Sequence, residues 1–325
     1  MARVETQNFT KNSTSGANST LPRTEKEWVK ILRRAALAGM SAIEHNYTPS
    51  SRTRVTKKGA GGDLTLEIDE LSEAAIYDSL SNDLGRDSFV FVSEEMGEIK
   101  SSREAENPKP IILCDPLDGS HNAQVGLPLF SISLSVFGLK RKIGKNDKRR
   151  LGDVDVGLVF NIPAKEEFYA IKGIGACHNE MKISGKLKKS AKVQKAERFS
   201  TIGIECGDVD YLKKVMKNLS SKSVYKLRVL GSAAISYCLL AEGTFDGFLF
   251  VQPNGARTID SPAGYLIARE ARRVFADLSG EVKDIDRVGV GFDSRINMIG
   301  ARDQETLLKL RHILGKIGLA NQRGN

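Results

Sequence analysis

The stretch Cys114–Asn122, "CDPLDGSHN", places two aspartates three residues apart around a proline, directly after the apolar run "IILC". Unpaired carboxylates at the end of a buried strand repel each other and lose hydration, so the sequence predicts a positive partner between them. Pro116 disfavours helical backbone at Asp115, which predicts an extended Asp115 followed by a turn at Leu117 and Asp118. The two aspartates can then point to one side and, with the Leu117 carbonyl, offer the hard oxygen ligands that Mg²⁺ prefers.

The second half of the stretch predicts a site for an anion. Gly119 lets the backbone approach a ligand closely. Residues 119–122 predict the start of a short helix whose free amides suit a phosphate group. Because Asp, Pro and Gly also form ordinary turns, the segment alone favours a turn and a metal site about equally. The acids elsewhere in the chain favour the metal site.

Those acids lie at the predicted ends of strands and helices. Glu94 and Glu95 follow the strand-like run "SFVFVS". Adjacent side chains on extended backbone point to opposite faces, so only one of them is expected to share a metal with Asp115. The segment "GDLTLEIDE" adds Asp63 and Asp69. Asp260 is expected to be the N-cap of a helix, and that cap is also an alternative explanation for it.

Together these residues closely resemble the magnesium-dependent, lithium-sensitive phosphomonoesterases, which include inositol monophosphatase and fructose-1,6-bisphosphatase. The archaeal-type bifunctional branch is the most similar. The likeness spans roughly residues 25–316 and includes "DPLDGSHNAQVGLPLFSISLSV", "YAIKGIGACHN" and "RVLGSAAISYCLLAEGTFDGFL". It implies an α+β fold of the sugar-phosphatase type, a layered αβαβα sandwich of alternating helix and sheet layers.

The resemblance also implies a role for each residue. Catalytic roles fall to Asp69, Glu94 and Ser120, which stands where the family usually has threonine. One metal would be held by Glu94, Asp115 and the Leu117 carbonyl, and a second by Asp115, Asp118 and Asp260. Asp69 with Glu94 would serve a weaker third metal or the attacking water, and Glu95 would lie in the outer ligand sphere. Phosphate and substrate contacts would come from Gly119, Ser120, Arg228, Gly231, Ser232 and Ala233. The "KKGAGG" loop, residues 57–62, resembles the family's mobile catalytic loop.

The implied activity is that of a phosphoric monoester hydrolase that uses two or three Mg²⁺ ions per site and a phosphorylated small-molecule substrate. The most similar activity is fructose-1,6-bisphosphatase with inositol-1-monophosphatase activity, in carbohydrate metabolism and gluconeogenesis. The resemblance also implies a homo-oligomer, either a dimer or a tetramer.

The segment 252–262 departs from the family pattern. Ile259 and Pro262 stand where tryptophan and alanine are usual, and Gln252 or Asn254 is expected to replace an acid that grips sugar hydroxyls. These departures favour, as an alternative, a phosphatase for 3′-phosphoadenosine 5′-phosphate or NADP. Arg272 and Arg273 replace a usual glycine pair, and either hold a second phosphate or lie on the surface.

Composition excludes several other classes. The chain has 325 residues, 40% hydrophobic and 27% charged, which allows a sizeable core. No apolar run reaches the ~20 residues of a membrane span, and residues 1–20 contain no apolar core of the kind that a signal peptide needs, so a cytoplasmic protein is expected. The four cysteines are widely spaced, which predicts reduced thiols and no zinc site.

The net charge of +9 is concentrated in two stretches, residues 140–150 and 182–195. They predict either solvated loops that attract anionic substrates or a nucleic-acid contact. No aromatic side chain interrupts either stretch, which disfavours base stacking. A non-catalytic member of the fold that binds RNA or a protein partner is the alternative from another functional class. His121 either touches phosphate or is a solvated or capping histidine.

The periodicity of apolar residues predicts the elements. Helices are expected at 25–45, 67–84, near 208–219, from Ser232, from Asp260 and near 303–316. Strands are expected at "SFVFVS", "IILC", "FSISLSVFGL", "VDVGLVFNI", "EEFYAIKG", "FSTIGIE", "LRVL", "FDGFLFV", "RRVFADLSG" and "NMIGA", with a turn at "GIGACHNEMKI". The predicted organisation is a disordered tail (1–22), an α+β half that binds metal and phosphate (23–180) and an α/β half that completes the site (181–325).

Overall fold

The computed structural model describes residues 24–62, 64–99, 109–144, 148–184, 199–219 and 223–314. The predicted tail and most of the basic stretch 182–195 lie outside these ranges. The helices are α1 (Glu25–Asn46), α2 (Glu67–Leu84), α3 (Ser120–Val125), α4 (Val209–Asn218), α5 (Ala233–Glu242), α6 (Pro262–Glu270) and α7 (Gln304–Leu314).

The strands divide into two larger sheets and two short antiparallel pairs, β1 with β2 and β14 with β16. In chain order they are β1 (Val55–Lys58), β2 (Leu64–Leu66), β3 (Val90–Ser93), β4 (Gly97–Ile99), β5 (Ile111–Asp118), β6 (Ser131–Phe137), β7 (Val154–Asn161), β8 (Glu166–Ile171), β9 (Gly175–His178), β10 (Met181–Lys182), β11 (Phe199–Glu205), β12 (Val224–Arg228), β13 (Gly247–Phe250), β14 (Ala256–Arg257), β15 (Val274–Asp277), β16 (Arg295–Ile296) and β17 (Met298–Ala301).

The first sheet has eight strands in the order β10-β9-β8-β7-β6-β5-β3-β4. Its neighbours pair antiparallel, except for the parallel pair β3 and β5. Alternate side chains of β5 enter opposite cores: Ile112 and Cys114 pack with α1 and α2, whereas Leu113 packs with α5 and α6. Both faces are therefore covered by helices, which explains why β5, β6 and β7 are buried along almost their whole length.

The second sheet has five strands in the order β12-β11-β13-β17-β15. Phe248 and Met298 face the core shared with α5 and α6, while Leu249 and Ile299 face α4 and α7. The layers are therefore α1 with α2, the first sheet, α5 with α6, the second sheet, and α4 with α7. This arrangement confirms the predicted αβαβα sandwich.

The first helix shows how the local sequence fixes an element. The Thr24 hydroxyl accepts a hydrogen bond from the Glu27 amide, and the Glu27 carboxylate accepts one from the Thr24 amide, forming a capping box. Trp28, Ile31 and Leu32 then begin an apolar stripe buried against the first sheet. Among the helices of the described ranges, none is long and apolar enough to cross a membrane.

Two predicted turns have a different structure. The turn expected at Leu117 and Asp118 is a continuation of β5, with a register shift opposite β6 between Asp115 and Asp118. Pro116 cannot donate to the ladder, and the extra residue is accommodated as a bulge. The "GIGACHNEMKI" turn contains two more strands, β9 and β10, which form an antiparallel pair.

Two predicted boundaries also shift. The strand expected at "LRVL" is β12, Val224–Arg228, because its parallel pairing with β11 ends at Arg228. Asp260 is not the N-cap of a helix: it ends a 3-10 turn, and Ser261 is the N-cap of α6. Pro262 occupies the first position of that helix, where its missing amide hydrogen has no consequence.

Candidate active site

The bulged end of β5 forms the floor of a cavity of about 170 Å³. Six carboxylates named from the sequence line this cavity: Asp69, Glu94, Glu95, Asp115, Asp118 and Asp260. Asp63 lies outside the described residues. Leu117, Gly119, Ser120 and Ala233 also line it. The structure therefore brings together residues that are separated by up to about 190 positions in the chain.

Three of these carboxylates form a tight cluster. Glu94, Asp115 and Asp260 each offer an oxygen, and the three oxygens lie within 4.8 Å of one another. Glu94 follows β3 and Asp115 lies on β5, the parallel neighbour of β3, so the two strands deliver them to the same edge. Burial, followed by repulsion from Asp118, Glu94 and Asp260, raises the pKa of Asp115 well above its ordinary value.

Asp118 lies beside the cluster and also fixes the start of α5. Its carboxylate accepts hydrogen bonds from the amides of Ala233 and Ala234, both at 3.1 Å. The hydroxyls of Ser131 (3.2 Å) and Ser232 donate to it as well. Burial raises the pKa of Asp118, and these hydrogen bonds oppose that rise. Its predicted role as a metal ligand stays a prediction.

Asp69 and Glu95 form the second acidic wall. The Leu66 amide donates to Asp69 Oδ2 at 2.9 Å, while the buried Asp69 Oδ1 has no hydrogen-bond partner among the described residues. Burial, together with the charge of Glu95, raises the pKa of Asp69 to about 7. The Glu95 carboxylate accepts a hydrogen bond from the Thr65 hydroxyl and lies outside the tight cluster.

The glycine loop packs directly on this wall. The Gly61 amide donates to the Glu94 carbonyl at 2.8 Å, and the Ala60 amide donates to the Glu95 carbonyl at 3.4 Å. A Cβ on Gly61 would stand 2.7 Å from Glu94 Cγ, so any side chain at this position would collide with the Glu94 side chain. Absence of a side chain at Gly61 therefore allows the loop to approach Glu94.

Several residues named from the sequence do not line the cavity. Arg228 is exposed and donates to the carbonyl of its neighbour Leu227. Gly231 and Ser232 hold other groups in place: the Gly231 amide donates to Glu205, and the Ser232 hydroxyl donates to Asp118. His121, Gln252 and Asn254 are also absent from the described lining.

Arg273 fits neither of its two expected alternatives, a second-phosphate site or a surface position, whereas Arg272 is exposed. Arg273 is 2% exposed, and its guanidinium donates to the Ala241 carbonyl at 2.7 and 3.1 Å. It also donates to the Arg302 carbonyl at 3.3 Å. These bonds stabilise the end of α5 inside the fold, which leaves the guanidinium little capacity for a ligand.

His121, for which a phosphate contact and a solvated position were both expected, is exposed. Its Nδ1 lies 3.2 Å from Gln124 Oε1.

Sequence reasoning missed two residues near the site. Glu205 ends β11 and accepts hydrogen bonds from Leu230, Gly231 and Ser236, and burial raises its pKa to about 7. Arg257 lies among the clustered carboxylates. The available signals were an acid at the end of "FSTIGIE" and a base three residues before Asp260.

The donor set fits a hard divalent cation. Six carboxylates face one basic side chain in the described lining, and burial raises the pKa of Asp69, Asp115 and Asp118. Ionised together, they would repel each other strongly without a compensating positive charge. Carboxylate oxygens are the ligands that Mg²⁺ prefers, and Asp69, which lines the cavity, carries an Oδ1 acceptor with no hydrogen-bond partner among the described residues.

Comparison with known proteins agrees with this chemistry. The sequence profile described as "Inositol monophosphatase family" matches residues 24–314. The chain belongs to the inositol monophosphatase family. Membership confirms the family predicted from the resemblance, and with it the enzyme class of a phosphoric monoester hydrolase. The family is magnesium-dependent, as the acidic cluster suggests.

Relatives within the family carry different activities in their names. A "Bifunctional NADP phosphatase/NAD kinase" of Methanococcus maripaludis is 29% identical over 75% of this chain, which spans only 42% of that protein. A "Fructose-1,6-bisphosphatase/inositol-1-monophosphatase" of Methanothermobacter thermautotrophicus is 29% identical over 88% of this chain and 96% of its own length.

A solved structure supports the fold. The extragenic suppressor protein suhB of Bartonella henselae superposes with a TM-score of 0.67 at 23% identity, covering 89% of this chain and 99% of its own. At that identity the likeness concerns the fold alone, and it agrees with the αβαβα layers described above.

Proposed function

We propose that this protein is a Mg²⁺-dependent phosphomonoesterase that hydrolyses sugar or polyol phosphates, acting as a fructose-1,6-bisphosphatase with inositol-1-monophosphatase activity. The observation that carries the proposal is the cluster of Glu94, Asp115 and Asp260, whose oxygens lie within 4.8 Å of one another. The name of the M. thermautotrophicus relative, which aligns along nearly its whole length, supports this choice of substrates.

The carboxylate cluster would hold the cofactor. Glu94, Asp115 and Asp260, together with the Leu117 carbonyl and Asp118, would bind two ions, and Asp69 would serve a third. When bound, magnesium polarises the phosphate and stabilises negative charge on the attacking and leaving oxygens.

The protein's own groups would position the reactants and move a proton. Asp69 Oδ1 is buried and has no hydrogen-bond partner among the described residues, so the ionised carboxylate would be available to accept a proton from the attacking water. Gly119 is the N-cap of α3 with a φ of 85°, so the Gly119 and Ser120 amides begin the helix at the cavity wall. These amides would bind phosphate oxygens, and the Ser120 hydroxyl would orient water.

A nucleotide phosphatase is the second candidate, with NADP or 3′-phosphoadenosine 5′-phosphate as substrate. The name of the M. maripaludis relative favours it, and so do the departures in segment 252–262. Neither Gln252 nor Asn254 lines the described cavity, so the expected sugar-gripping replacement has no support from the geometry.

A panel of phosphate esters tests the proposal. We expect phosphate release from fructose 1,6-bisphosphate and inositol 1-phosphate that requires Mg²⁺ and is inhibited by lithium. Preferential release from NADP or 3′-phosphoadenosine 5′-phosphate would establish the second candidate instead. No release from any ester by folded protein, combined with salt-dependent retention of RNA, would favour the non-catalytic alternative.

The assembly and setting follow from the family likeness and stay proposals. We expect a homodimer or tetramer, a cytoplasmic location and a role in gluconeogenesis. Light scattering of the purified full chain measures the assembly directly, and a monomer at micromolar concentration would contradict it.

A further inference from the structure

Arg257 places a fixed positive charge inside the acidic cluster. Its Nη2 lies 2.6 Å from Glu94 Oε1, and its Nε lies 3.4 Å from Asp260 Oδ2. Its Nη1 donates to the Gly61 carbonyl at 3.2 Å. Among the described residues that line the cavity, Arg257 is the only basic one. One guanidinium therefore joins two cluster carboxylates to the glycine loop.

The position of Arg257 is set by the fold. It ends β14, whose antiparallel pairing with β16 places it opposite Arg295, and the 3-10 turn Thr258–Asp260 follows directly. This turn brings the side chain of Asp260 back toward Arg257. Arg257, Glu94 and Asp260 are each about one-fifth exposed at the side chain, so their charges interact with little screening by solvent.

The oxygens of Glu94 and Asp260 cannot bind the Arg257 guanidinium and a divalent ion at full strength at the same time. Glu94 Oε1 is engaged in a short charge-assisted contact with Arg257, and Asp260 lies in the same cluster that a divalent ion would use. A divalent ion bound there would stand within a few ångströms of a guanidinium that does not lose its proton in proteins. The repulsion can be relieved only when the arginine side chain moves.

We propose that Arg257 is a built-in competitor for a divalent ion at this cluster. In the metal-free protein the guanidinium neutralises Glu94 and Asp260 and holds the glycine loop against them. Metal binding displaces it, so Arg257 lowers the affinity of the site for divalent ions. The inference rests on the metal site of the proposed function.

The role predicts two opposite effects of one substitution. Without Arg257, the metal-free protein keeps its clustered carboxylates but loses their internal counter-charge, so it should be less stable. An ion that binds the variant no longer has to displace a guanidinium from Glu94 and Asp260, so it should bind more tightly. A residue that merely pre-arranged Glu94 and Asp260 for the metal would instead weaken metal binding when removed.

Mn²⁺ binding to the full chain, followed by electron paramagnetic resonance or calorimetry, tests the proposal. For Arg257→Gln we expect a dissociation constant lower by roughly tenfold or more, and a lower melting temperature without metal. Arg257→Lys keeps a cation and should lie between the two proteins. Arg269→Gln is the matched control, because Arg269 pairs with Asp286 at 3.1 Å and does not line the described cavity.

Unchanged or weaker Mn²⁺ binding by folded Arg257→Gln would overturn the proposal. Because the experiment measures metal binding, its outcome does not depend on whether the protein hydrolyses phosphate esters. Tighter binding by the variant, in a protein that hydrolyses no phosphate ester, would support the competitor role and refute the phosphatase. Hydrolysis of phosphate esters by the wild type, combined with no tighter Mn²⁺ binding by Arg257→Gln, would support the phosphatase and refute the competitor role.

Discussion

Asp115 shows how single side chains create the chemistry of the site. Its carboxylate accepts a hydrogen bond from the Leu117 amide at 3.1 Å and faces Glu94 and Asp260. Burial and three acidic neighbours raise its pKa, so the ionised form needs a cation close by. A substitution at Asp115 should therefore weaken metal binding and leave the fold unchanged.

We expect Asp115→Asn to lower phosphatase turnover by roughly 10³-fold, equal to several kcal/mol of transition-state stabilisation. The amide oxygen can still accept the Leu117 hydrogen bond, so the circular dichroism spectrum should be unchanged. Asp83→Asn, which removes a surface pair with Arg34, is the control and should retain full activity. Near-normal turnover by Asp115→Asn would refute the metal assignment.

Glu205 predicts a pH dependence of stability. Burial raises its pKa from an ordinary 4.5 to about 7 in the folded protein. Between those values the folded state binds more protons than the unfolded state, so the free energy of unfolding falls as pH rises. This difference in pKa corresponds to about 3 kcal/mol of unfolding free energy, which is present below pH 4.5 and is lost as the pH rises through about 7.

In urea titrations at pH 5 and pH 8 without metal, Glu205→Gln should lose less stability between the two pH values than the wild type. At pH 5 the variant should be less stable by about 1 kcal/mol, because its Nε2 cannot accept the hydrogen bond that the Gly231 amide donates to Glu205 Oε2. Its Oε1 can still accept from Leu230 and Ser236. An identical pH dependence in both proteins would contradict the assignment to Glu205.

At the scale of the element, α5 links the site to the core. Ser232 is its N-cap, accepting from the Ile235 amide, and the Asp118 carboxylate receives the Ala233 and Ala234 amides. The negative carboxylate lies at the positive end of the helix, which is favourable. Asn122 of α3 donates to the Leu230 carbonyl at 2.7 Å, which ties α3 to the segment that leads into α5.

Comparison of two N-caps tests whether α5 positions the site. Ser232→Ala and Asp208→Ala, the latter at the start of α4, should each cost about 1 kcal/mol of stability. Only Ser232→Ala also removes a donor to Asp118, so only this variant should lower kcat, by roughly tenfold. Equal activity in the two variants would show that the cap matters for folding alone.

At the scale of the whole molecule, the cavity depends on layers that meet only in the folded chain. Its walls come from β5 of the first sheet, from the start of α5 and from the segment 257–260 that precedes α6. An ion bound there contacts the native state and not the unfolded chain. Metal binding therefore couples to global stability.

We expect Mg²⁺ to raise the unfolding free energy by about 2.7 kcal/mol at a concentration 100 times its dissociation constant. Calorimetric melting with Mg²⁺ or with a chelator measures this effect, and Asp115→Asn should show little of it. At one fixed Mg²⁺ concentration, the stabilisation should be larger at pH 8 than at pH 6, because Asp69, with a pKa of about 7 in the metal-free protein, must lose its proton to serve a cation. A Mg²⁺ effect equal at both pH values would contradict the assigned ligands.

The sequence by itself determined the chemistry and most elements. Apolar periodicity located α1 and α2 to within a residue or two, and the spacing around Pro116 indicated carboxylates at a strand end. Local propensity suffices there because helix caps, proline and residue type act over a few residues. The six acids that line the cavity could be named because the capacity to bind a metal depends on residue type, which the sequence gives directly.

Only the tertiary structure decided how those acids are used. The bulge in β5, the N-cap at Ser261 and the commitment of Arg273 to the Ala241 carbonyl depend on neighbouring strands and helices. The contact between Arg257 and Glu94 joins residues 163 positions apart, which no local pattern encodes. Long-range packing sets such distances, and the charge balance of the cavity depends on them.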